Sequence, residues 1–555
     1  MAPIIYSSIY PEYLVPTNKS LGQYLLDVNP DDISPDKVIY EDIDPKGSKI
    51  TYGGLRRDAA KLAAELVHAF NLKMGDAVVV YAANSANYIL LAHAVMWFGG
   101  TIIGINVATS EHDLGHYLSV AAAKLIVVEP HRRGVVERTV AHHHTTVPSA
   151  PIINIDNQSA VAFPHKYLRS TAVNPIPPVD LSNIDNRTLP AAVVFSSGTS
   201  GKPKGVHLSH YGMIANALSN RTANPEDANA DSREVFFGPF PHLFGLLGGV
   251  LIPAFLGNYI AILPAFVYDQ YIQSCSKVGS TVMRMVPAVA VAITKDPRID
   301  QLDLTTVKTL MCAGAALQVE VVQRLQQIMP RVSITQGYGM SEVSVAGLRG
   351  RRSAEKAGSV GRLYPGVKMR IIDDNMNDVK LGEPGEALIK APTVFAGYRN
   401  NPKSTQESFH DGWLRTGDTL SIDKDGFLWF KDRKKEMIKY KGMQVAPAEL
   451  EDLLASHPEV EEAAVCALWH EDGQTEVPIG YVVLSSSVAQ NDREAALKRI
   501  RESVDKIVSP YKKLRGGVFA IDAIPKNPTG KIQRSELPAR KEKAGRGAAA
   551  AKTKL

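Results

Sequence analysis

Short, wholly apolar runs alternate with amphipathic segments along most of the chain, and this alternation constrains the fold more than any other feature. Runs without polar alternation are typical of strands that are buried on both faces of a parallel sheet. We predict such strands at Ala77–Ala82, Thr101–Val107, Leu125–Val128, Ala191–Phe195 and Tyr259–Leu263. Arg56–Phe70 and Val319–Ile328 have the spacing of helices. The pattern therefore predicts an α/β fold with mainly parallel sheets covered by helices.

Two uncharged stretches are long enough to raise the question of a membrane span. Tyr88–Ile105 is interrupted by a Gly-Gly pair, and Leu243–Phe266 contains four glycines and two prolines. We interpret each stretch as a buried helix, a glycine turn and a central strand. Met1–Tyr10 lacks the charged start of a secretory signal peptide, so none is expected.

Composition and charge narrow the classes of function. Of the 555 residues, 45% are hydrophobic and 21% are charged, which is typical of an ordinary globular protein. The net charge of +5 resides in the tail from Ala539, and the rest of the chain carries 56 charges of each sign. We therefore expect no nucleic-acid-binding surface on the folded body. The three cysteines lie far apart, which argues against a disulfide framework and for a reducing compartment.

The composition of the sequence and its pattern of predicted elements change twice towards the C-terminus. From Val367 the chain shows short β segments separated by turn pairs such as Asp411-Gly412. The charge-rich stretch Lys431–Glu436 follows, and after it a smaller α+β pattern runs to about Leu537. We predict a large domain over residues 1–433 with a β-rich subdomain, a small α+β domain over 434–538, and a disordered basic tail over 539–555.

The strongest chemical signal is the Ser- and Gly-rich segment Ser196–Gly205, directly after the apolar run Ala191–Phe195. Small residues let backbone N–H groups approach a polyphosphate, hydroxyls add donors, and Lys202 and Lys204 add positive charge. Pro203 follows Lys202, so the segment is not a Walker loop, which needs Ser or Thr at that place. We predict phosphate binding here in preference to the alternative, a flexible surface loop rich in Ser and Gly.

Five more motifs accompany this segment, namely Gln336–Glu342, Thr416–Asp418, Asp432-Arg433, Lys439–Gly442 and Pro528–Lys531. Their order and spacing resemble the adenylate-forming superfamily of acyl-CoA ligases, firefly-type luciferases and standalone adenylation domains. The resemblance covers nearly the whole chain, and the run Arg433–Glu449 is most similar to the 4-coumarate–CoA ligase branch. It implies that the large domain contains stacked, mainly parallel sheets and that the small domain is a mobile lid hinged near Lys435.

The resemblance also implies the nucleotide and metal site. ATP, Mg²⁺ and coenzyme A would be the cofactors and co-substrates. Asp418 would receive the ribose hydroxyls, Tyr338 would lie against adenine, and Glu342 and Thr199 would bind Mg²⁺. The implied nucleotide-binding residues are Ser196, Ser197, Gly198, Thr199, Ser200, Gly201, Lys202, Lys204, Gly314, Ala315, Ala316, Gln336, Gly337, Tyr338, Gly339, Ser341, Asp418 and Arg433. Ser341 stands where the family usually has threonine, and the hydroxyl is kept.

The same resemblance implies the catalytic residues and the acyl pocket. Lys531 would bridge carboxylate and phosphate oxygens during adenylation, and its flexible stem suits a site that must be vacated. Lys439 and Gln444 would act in the second orientation of the lid, during thioester formation. His242 resembles the gate beside the acyl site. The candidate pocket wall consists of His242, Phe244, Gly248, Met311, Gly314 and Gly337. Leu317 replaces the family's proline, which affects the local backbone rather than the activity.

These residues predict an ATP-dependent acid–CoA ligase for an aryl or medium-length acyl carboxylate, with no nucleic-acid partner and no stable membrane span. The alternatives are an adenylation enzyme that loads a carrier-protein thiol, a luciferase-like oxygenase, and a non-catalytic nucleotide-binding protein. Gly238–Gly249 contains no acid that could hold an α-ammonium group, which argues against an amino-acid substrate. His142–His144 lacks further ligands at metal-binding spacing. Thr553-Lys554-Leu555 resembles a signal for the peroxisomal import receptor, so we predict peroxisome or cytoplasm.

Overall fold

The computed structural model describes residues 3–156, 162–196, 202–314, 317, 319–347, 356, 358–433, 437–471, 473–526 and 532–540, with the backbone alone at 344–347, 432–433 and 535. Contacts divide the chain into two compact units. The first unit comprises Met1–Val107, Tyr117–Ser196 and Lys204–Asp432, and the second comprises Ala108–His116, Ser197–Pro203 and Arg433–Leu555. The predicted hinge residue, Lys435, lies outside the described residues.

The first seven-stranded sheet of the large unit contains the strand that leads into Ser196–Gly205. Its strands, in spatial order, are Gly397–Tyr398, Lys204–Ser209, Pro190–Ser196, Thr101–Gly104, Ala77–Tyr81, Leu125–Val128 and Ile152–Asn154. The last five run parallel, whereas Lys204–Ser209 is antiparallel to both neighbours. Every residue of Ala77–Tyr81 is buried, as expected of a strand that is covered on both faces.

The second seven-stranded sheet is also mainly parallel. Its strands, in spatial order, are Ser333–Gln336, Thr309–Cys312, Val282–Met285, Arg233–Phe236, Tyr259–Ile262, Val38–Asp42 and Lys49–Thr51. The first six are parallel and the seventh is antiparallel. Both sheets contribute to one core, in which Val80 of the first sheet and Ile260 of the second belong to the same cluster. Helix Ala86–Trp97 of this core is buried on every side.

Helices cover these sheets, and both helices that the sequence predicts, at Arg56–Phe70 and Val319–Ile328, are present. The predicted helix at Arg56–Phe70 begins slightly earlier, at Tyr52, because the Thr51 side chain caps it by accepting a hydrogen bond from the Gly54 N–H. Other helices of the large unit are Leu21–Asp27, Arg133–His142, His165–Leu168, His210–Ala223, Tyr268–Val278, Pro287–Lys295, Val319–Ile328 and Pro402–Glu407. Helix Glu111–Ala121 has residues in both units.

Both uncharged stretches fold as predicted. In the first, helix Ala86–Trp97 is followed by Gly99, whose φ is +80°, and by strand Thr101–Gly104. In the second, the helical part consists of Leu243–Gly245, a π-helix at Leu246–Leu251 and Ile252–Leu256, and strand Tyr259–Ile262 follows Gly257. Across the described ranges, no helix is long and apolar enough to cross a membrane. The three cysteines, which all lie within the described ranges, are buried and form no disulfide.

The β-rich region predicted after Val367 forms a six-stranded sheet. Its strands are Tyr6–Ser7, Lys368–Ile372, Gly385–Lys390, Trp413–Ile422 and Phe409–His410, with Leu428–Arg433 also paired to Trp413–Ile422. A separate hairpin consists of Tyr338–Met340 and Val343–Gly347. Tyr6–Ser7 joins the edge of the sheet by antiparallel pairing with Lys368 and Met369.

The second unit has the α+β pattern expected of the C-terminal region. It contains the hairpin Ile438–Tyr440 and Met443–Val445, the sheet Val460–His470, Thr475–Leu484 and Val518–Ala520, and helices Pro447–Ala455 and Arg493–Ile507. The helices pack on the sheet through a cluster that includes Leu450, Val482 and Ile500. The unit therefore has a hydrophobic core of its own.

Candidate active site

Ser196 and Lys204 are paired across two antiparallel strands, at the two ends of the predicted phosphate loop. The chain after this loop continues as strand Lys204–Ser209, which differs from a Walker loop, where a helix follows. The Ser196 hydroxyl is buried and has no hydrogen-bond partner in the part of the chain that the structure describes. A buried hydroxyl without a partner is costly, so this atom is suited to bind a ligand. The Lys202 side chain is exposed.

Lys204 and Glu342, which are 138 positions apart in the sequence, meet at the ring of Tyr398. Strand Gly397–Tyr398 pairs with Lys204–Ser209, and this pairing places the Lys204 ammonium 5.1 Å from the centre of the Tyr398 ring. On its other side, the Tyr398 hydroxyl donates a 2.6 Å hydrogen bond to Glu342 Oε1. The structure thus brings the end of the predicted phosphate loop close to the predicted metal ligand.

The Glu342 carboxylate is held in place by its neighbours. The residue is 6% exposed, and its backbone carbonyl accepts a 2.7 Å hydrogen bond from the Phe395 N–H. Burial, and then the charge of Glu342, raise the pKa of the Tyr398 phenol, so Tyr398 remains a donor. One carboxylate oxygen is thereby oriented, and an anionic oxygen of this kind is a ligand that Mg²⁺ prefers.

Tyr338 and Asp418 form a second contact between predicted site residues. The Tyr338 hydroxyl donates a 2.8 Å hydrogen bond to Asp418 Oδ2, and both side chains are buried. The Thr416 hydroxyl accepts a 3.1 Å hydrogen bond from the Asp418 N–H and donates one of 2.8 Å to the Ala387 carbonyl. The carboxylate therefore has a fixed position within strand Trp413–Ile422, and its two oxygens match a vicinal diol.

The Gln336 side chain supports the neighbouring loop. Its amide oxygen accepts a 3.0 Å hydrogen bond from the Leu317 N–H, and its amide nitrogen lies 3.4 Å from the Ser359 carbonyl. Gly314 has a φ of +90°, a conformation that favours glycine, and the Gly337 N–H donates to the Cys312 carbonyl. These contacts position the backbone where the resemblance expects adenine to bind.

His242 caps the helical segment that follows it. Its Nδ1 accepts a 3.3 Å hydrogen bond from the Phe244 N–H. The side chain is solvent-accessible, yet the surrounding protein desolvates it and lowers its pKa, so the imidazole is neutral near pH 7. Exposure combined with desolvation is typical of a side chain that lines a cleft. This position is consistent with the predicted gate.

A π-helix continues from this segment, and π-bulges are frequent at functional sites. Its Val250 carbonyl accepts two side-chain hydrogen bonds, at 2.6 Å from the Tyr40 hydroxyl and at 3.0 Å from His93 Nε2. These two donors stabilise a helix register that would otherwise leave backbone groups poorly satisfied.

Asn84 is a supporting residue that the motifs did not reveal. It is 6% exposed, donates a 2.9 Å hydrogen bond to the Gly238 carbonyl and accepts one of 3.0 Å from the Phe240 N–H. It therefore fixes the loop that precedes His242. A polar residue three positions after the end of the buried strand Ala77–Tyr81 was the available signal, since ligands bind at the carboxyl ends of parallel strands.

Several predicted pocket residues converge. The Phe236 and Phe244 rings stack with centroids 5.8 Å apart. A Cβ atom at Gly248 would lie 3.0 Å from the Phe236 ring, and one at Gly337 would lie 3.4 Å from the Met311 methyl group. The absence of side chains at these two glycines lets the aromatic ring and the thioether pack closely against the backbone.

Lys439 and Gln444, which belong to the second unit, are directly opposite each other in the hairpin. Lys441 and Gly442 form its turn with φ values of +48° and +83°, as a two-residue hairpin requires. Cross-strand partners project from the same face of the hairpin, so the two predicted thioester-step residues are neighbours. The Lys439 backbone is fixed by Glu476, whose carboxylate accepts its N–H at 2.9 Å.

Other predicted residues lie outside the described ones. On either side of the Pro528–Lys531 motif, Lys526 and Ile532 form an antiparallel bridge. The predicted site residues that the structure does not describe are Ser197, Gly198, Thr199, Ser200, Gly201, Ala315, Ala316 and Lys531. For Arg433, only the backbone is described. Their roles stay predictions. No cluster of three His, Cys, Asp or Glu side chains that could hold a metal is present among the residues with described positions.

Family models match both parts of the chain. The AMP-binding enzyme model matches residues 31–399, and the model of the AMP-binding enzyme C-terminal domain matches residues 449–531. The chain is 33% identical to 4-coumarate–CoA ligase-like 9 of Arabidopsis thaliana, over 88% of this chain and 85% of that protein. It is 30% identical to 4-coumarate–CoA ligase 1 of the same plant, over 97% of this chain and 95% of that protein.

Solved structures agree on the fold. A double mutant of o-succinylbenzoate CoA synthetase from Bacillus subtilis has a TM-score of 0.78 and 22% identity, covering 94% of this chain and 99% of that one. The amide bond synthetase McbA of Marinactinospora thermotolerans has a TM-score of 0.79 and 22% identity, covering 93% of this chain and 99% of that one. The predicted fold class and family are confirmed. The chain belongs to the adenylate-forming family of AMP-binding enzymes, in its 4-coumarate–CoA ligase-like branch.

Proposed function

We propose that this enzyme is an ATP- and Mg²⁺-dependent acid–CoA ligase that acts on an aryl or medium-length acyl carboxylate. The observation that carries the proposal is the contact of both Lys204 and Glu342 with Tyr398, because it joins the cation that we propose binds phosphate to the anion that we propose binds Mg²⁺. The Tyr338–Asp418 hydrogen bond adds a support for the ribose. The names of the relatives, which are CoA ligases, point to the same reaction.

The chemistry explains why these charges are needed. A carboxylate is a poor electrophile because its leaving group would be oxide. When a carboxylate oxygen attacks the α-phosphorus of ATP, a new P–O bond forms, pyrophosphate leaves, and the acyl carbon gains AMP as a good leaving group. The thiol of coenzyme A then attacks that carbon, loses its proton and displaces AMP. Both steps concentrate negative charge, so positioning and preorganised positive charge supply most of the catalysis.

Each residue of the site has a distinct role in this proposal. The Lys204 ammonium and the Ser196 hydroxyl bind phosphate oxygens beside the loop. Asp418 accepts hydrogen bonds from the ribose diol, while Tyr338 orients that carboxylate. Lys531 neutralises the carboxylate and phosphate oxygens during adenylation, and Lys439 and Gln444 act when the thioester forms.

The residues present fit a bound magnesium ion. Glu342 would hold it, together with Thr199, and the ion would offset phosphate charge while the phosphates and water complete its coordination. A single oriented carboxylate suffices for this, since Mg²⁺ in nucleotide sites usually takes few ligands from the protein.

The test is a panel of aryl and aliphatic acids incubated with the purified full chain, ATP and Mg²⁺, with and without coenzyme A. We expect pyrophosphate release with the correct acid and fast AMP release only when coenzyme A is added. A panel in which no acid leads to either product would refute the proposal. The compartment, peroxisome or cytoplasm, is tested separately by comparing the localisation of the full chain with that of a chain lacking Leu555.

A further inference from the structure

An ion pair between Arg284 and Glu234 is buried between two central strands of the large unit. Arg284 Nε lies 2.5 Å from Glu234 Oε2, and Nη2 donates a 3.0 Å hydrogen bond to Oε1. The two side chains are 8% and 3% exposed. Removing two charges from water is costly, and apolar residues of similar volume often stabilise such a position equally well. The pair therefore calls for a functional explanation.

The register of the strands fixes the face on which the pair lies. Met283 and Met285 pack in the cluster with helices Tyr268–Val278 and Pro287–Lys295. Arg284 lies between these methionines and so projects from the opposite face of the sheet. Its register partner on the next strand, Met311, projects from that same face. On the other side, Glu234 is in register with Val282, two positions before Arg284, and shares the face as well.

This face coincides with the predicted wall of the acyl pocket. Arg284 Nη1 lies 3.1 Å from the Met311 sulfur, and a Cβ atom at Gly248 would lie 3.7 Å from the same nitrogen. Met311 in turn lies against Gly337, where a Cβ atom would be 3.4 Å from the methionine methyl group. Gly248, Met311 and Gly337 were predicted as wall residues without reference to Arg284, and the guanidinium lies among them.

The Arg284 guanidinium has a nitrogen, Nη1, that can donate hydrogen bonds on the side of this wall. Nε and Nη2 are directed at Glu234, whereas Nη1 points away from that carboxylate. Within the described residues, the acceptor that Nη1 reaches is a thioether sulfur, which is a weak acceptor. Gly248 places no side chain in front of Nη1. An oxygen atom of a ligand would be a much better partner for it.

We infer that Arg284, oriented by Glu234, is a specificity-determining residue that recognises a neutral oxygen at the end of the acid remote from the reacting carboxylate. The oxygen would belong to a hydroxyl, carbonyl or ether group and would accept a hydrogen bond from Nη1. This inference rests on the proposed ligase function and deepens it by naming the substrate class. A plain hydrocarbon end would leave the Nη1 donors poorly satisfied in a buried site.

The charge balance decides against a second carboxylate. Arg284 and Glu234 together are neutral, and both are closely paired. The carboxylate of a dicarboxylic acid would add an unbalanced negative charge beside the buried Glu234, because the single cation of the pair is already balanced by Glu234. A neutral oxygen accepts the hydrogen bond without this cost.

The test compares kcat/KM for AMP release by the full-length wild-type enzyme with matched acids. At each chain length, and for aryl acids likewise, the plain acid is compared with its terminal hydroxy and terminal carboxy counterparts. We expect the hydroxy acid of the best length to exceed the plain acid by about ten- to a hundredfold, and the carboxy acid to fall below both. AMP release without any preference for the hydroxy acid overturns this inference alone. Absence of AMP release with every acid overturns the ligase function as well.

A double variant, Glu234→Leu with Arg284→Met, tests the assignment to these residues. It removes both charges, so no unpaired charge remains buried, and the preference for the hydroxy acid should fall to within about threefold of unity. The matched control is Asp378→Leu with Arg370→Met, which removes a partly buried ion pair in the six-stranded sheet and should keep the wild-type preference. If the double variant also keeps it, the inference is wrong. The wild-type comparison stands on its own should the double variant not fold.

Discussion

The Tyr398 hydroxyl donates a 2.6 Å hydrogen bond to the buried Glu342 carboxylate, while its ring contacts the Lys204 ammonium. Tyr398 therefore links two residues that sequence motifs identify separately. Because the hydrogen bond orients an anion that is proposed to bind Mg²⁺, its loss should weaken metal binding more than it weakens the fold.

We expect Tyr398→Phe to lower kcat for pyrophosphate release by about tenfold and to raise the Mg²⁺ concentration needed for half-maximal rate. Glu342→Gln should lower the rate further, by about a hundredfold or more, because the anionic ligand itself is lost. The measurement is a Mg²⁺ titration of pyrophosphate release. Phe409→Leu, which alters another aromatic ring of the same region, serves as a control. An unchanged Mg²⁺ dependence in both Tyr398→Phe and Glu342→Gln would exclude the metal role.

Lys531→Ala should reduce adenylation by about a hundred- to a thousandfold, because one preorganised positive charge is removed from the developing negative charge. ATP binding should change little, since the other phosphate contacts remain. Pyrophosphate exchange measures the first quantity and equilibrium dialysis the second. Lys526→Ala is the matched control, because this nearby lysine forms an exposed ion pair with Glu462. Equal activity of Lys531→Ala and Lys526→Ala would show that Lys531 has no special role.

Lys439 and Gln444 should affect the second half-reaction. We expect Lys439→Ala and Gln444→Ala to slow transfer to coenzyme A by about tenfold or more, while pyrophosphate exchange stays near wild type. Lys441→Ala, an exposed lysine in the turn of the same hairpin, controls for loss of charge. The two half-reactions are measured separately by pyrophosphate exchange and by thioester formation. A parallel loss of both would contradict the assignment.

Asn84 should act through the loop that precedes His242. Asn84→Leu leaves the Gly238 carbonyl and the Phe240 N–H without their partner, so unfolding free energy should fall by about 1–3 kcal/mol. The KM for the acid should rise more than the KM for ATP, because the loop adjoins the predicted acyl wall. Asn84→Asp keeps the acceptor for the Phe240 N–H, so its unfolding free energy and its KM for the acid should lie between those of the wild type and Asn84→Leu. Urea unfolding and initial-rate kinetics test both expectations.

Stability should fall on acidification because of a buried histidine. Burial lowers the pKa of His93 from 6.5 to about 4, so the unfolded chain takes up a proton in this range before the folded chain does. The contribution of neutral His93 to the free energy of unfolding is present in full above pH 6.5. It is lost as the pH falls towards 4, by at most about 1.4 kcal/mol per pH unit. His93→Phe should reduce this dependence, because it removes one titrating group, while His207 and His210, whose pKa values burial also lowers to about 4, keep their share.

Urea unfolding at a series of pH values measures this effect. The exposed His142→Phe at a helix end is the control and should retain the wild-type slope. If His93→Phe and the wild type lose stability equally on acidification, protonation of His93 is not responsible.

Much of the architecture was predictable because burial leaves a direct trace in the sequence. Leu125–Val128 and Val319–Ile328 have the predicted bounds, because an apolar run of only 4 residues is too short for a helix, whereas apolar residues at a helical period favour one. The π-helix at Leu246–Leu251 was not predicted, because its register depends on hydrogen bonds from Tyr40 and His93, which are distant in sequence.

The sequence by itself determined the family and the order of the chemical motifs, because small residues, hydroxyls and charges at fixed spacing record local requirements of nucleotide chemistry. Only the tertiary structure decided which of these groups meet. Strand pairing brings Tyr398 between Lys204 and Glu342, and strand register places Arg284 beside Met311 on the inner face of a sheet. Such neighbours come from distant segments, and no local pattern of residues encodes a contact that exists only after the strands have paired.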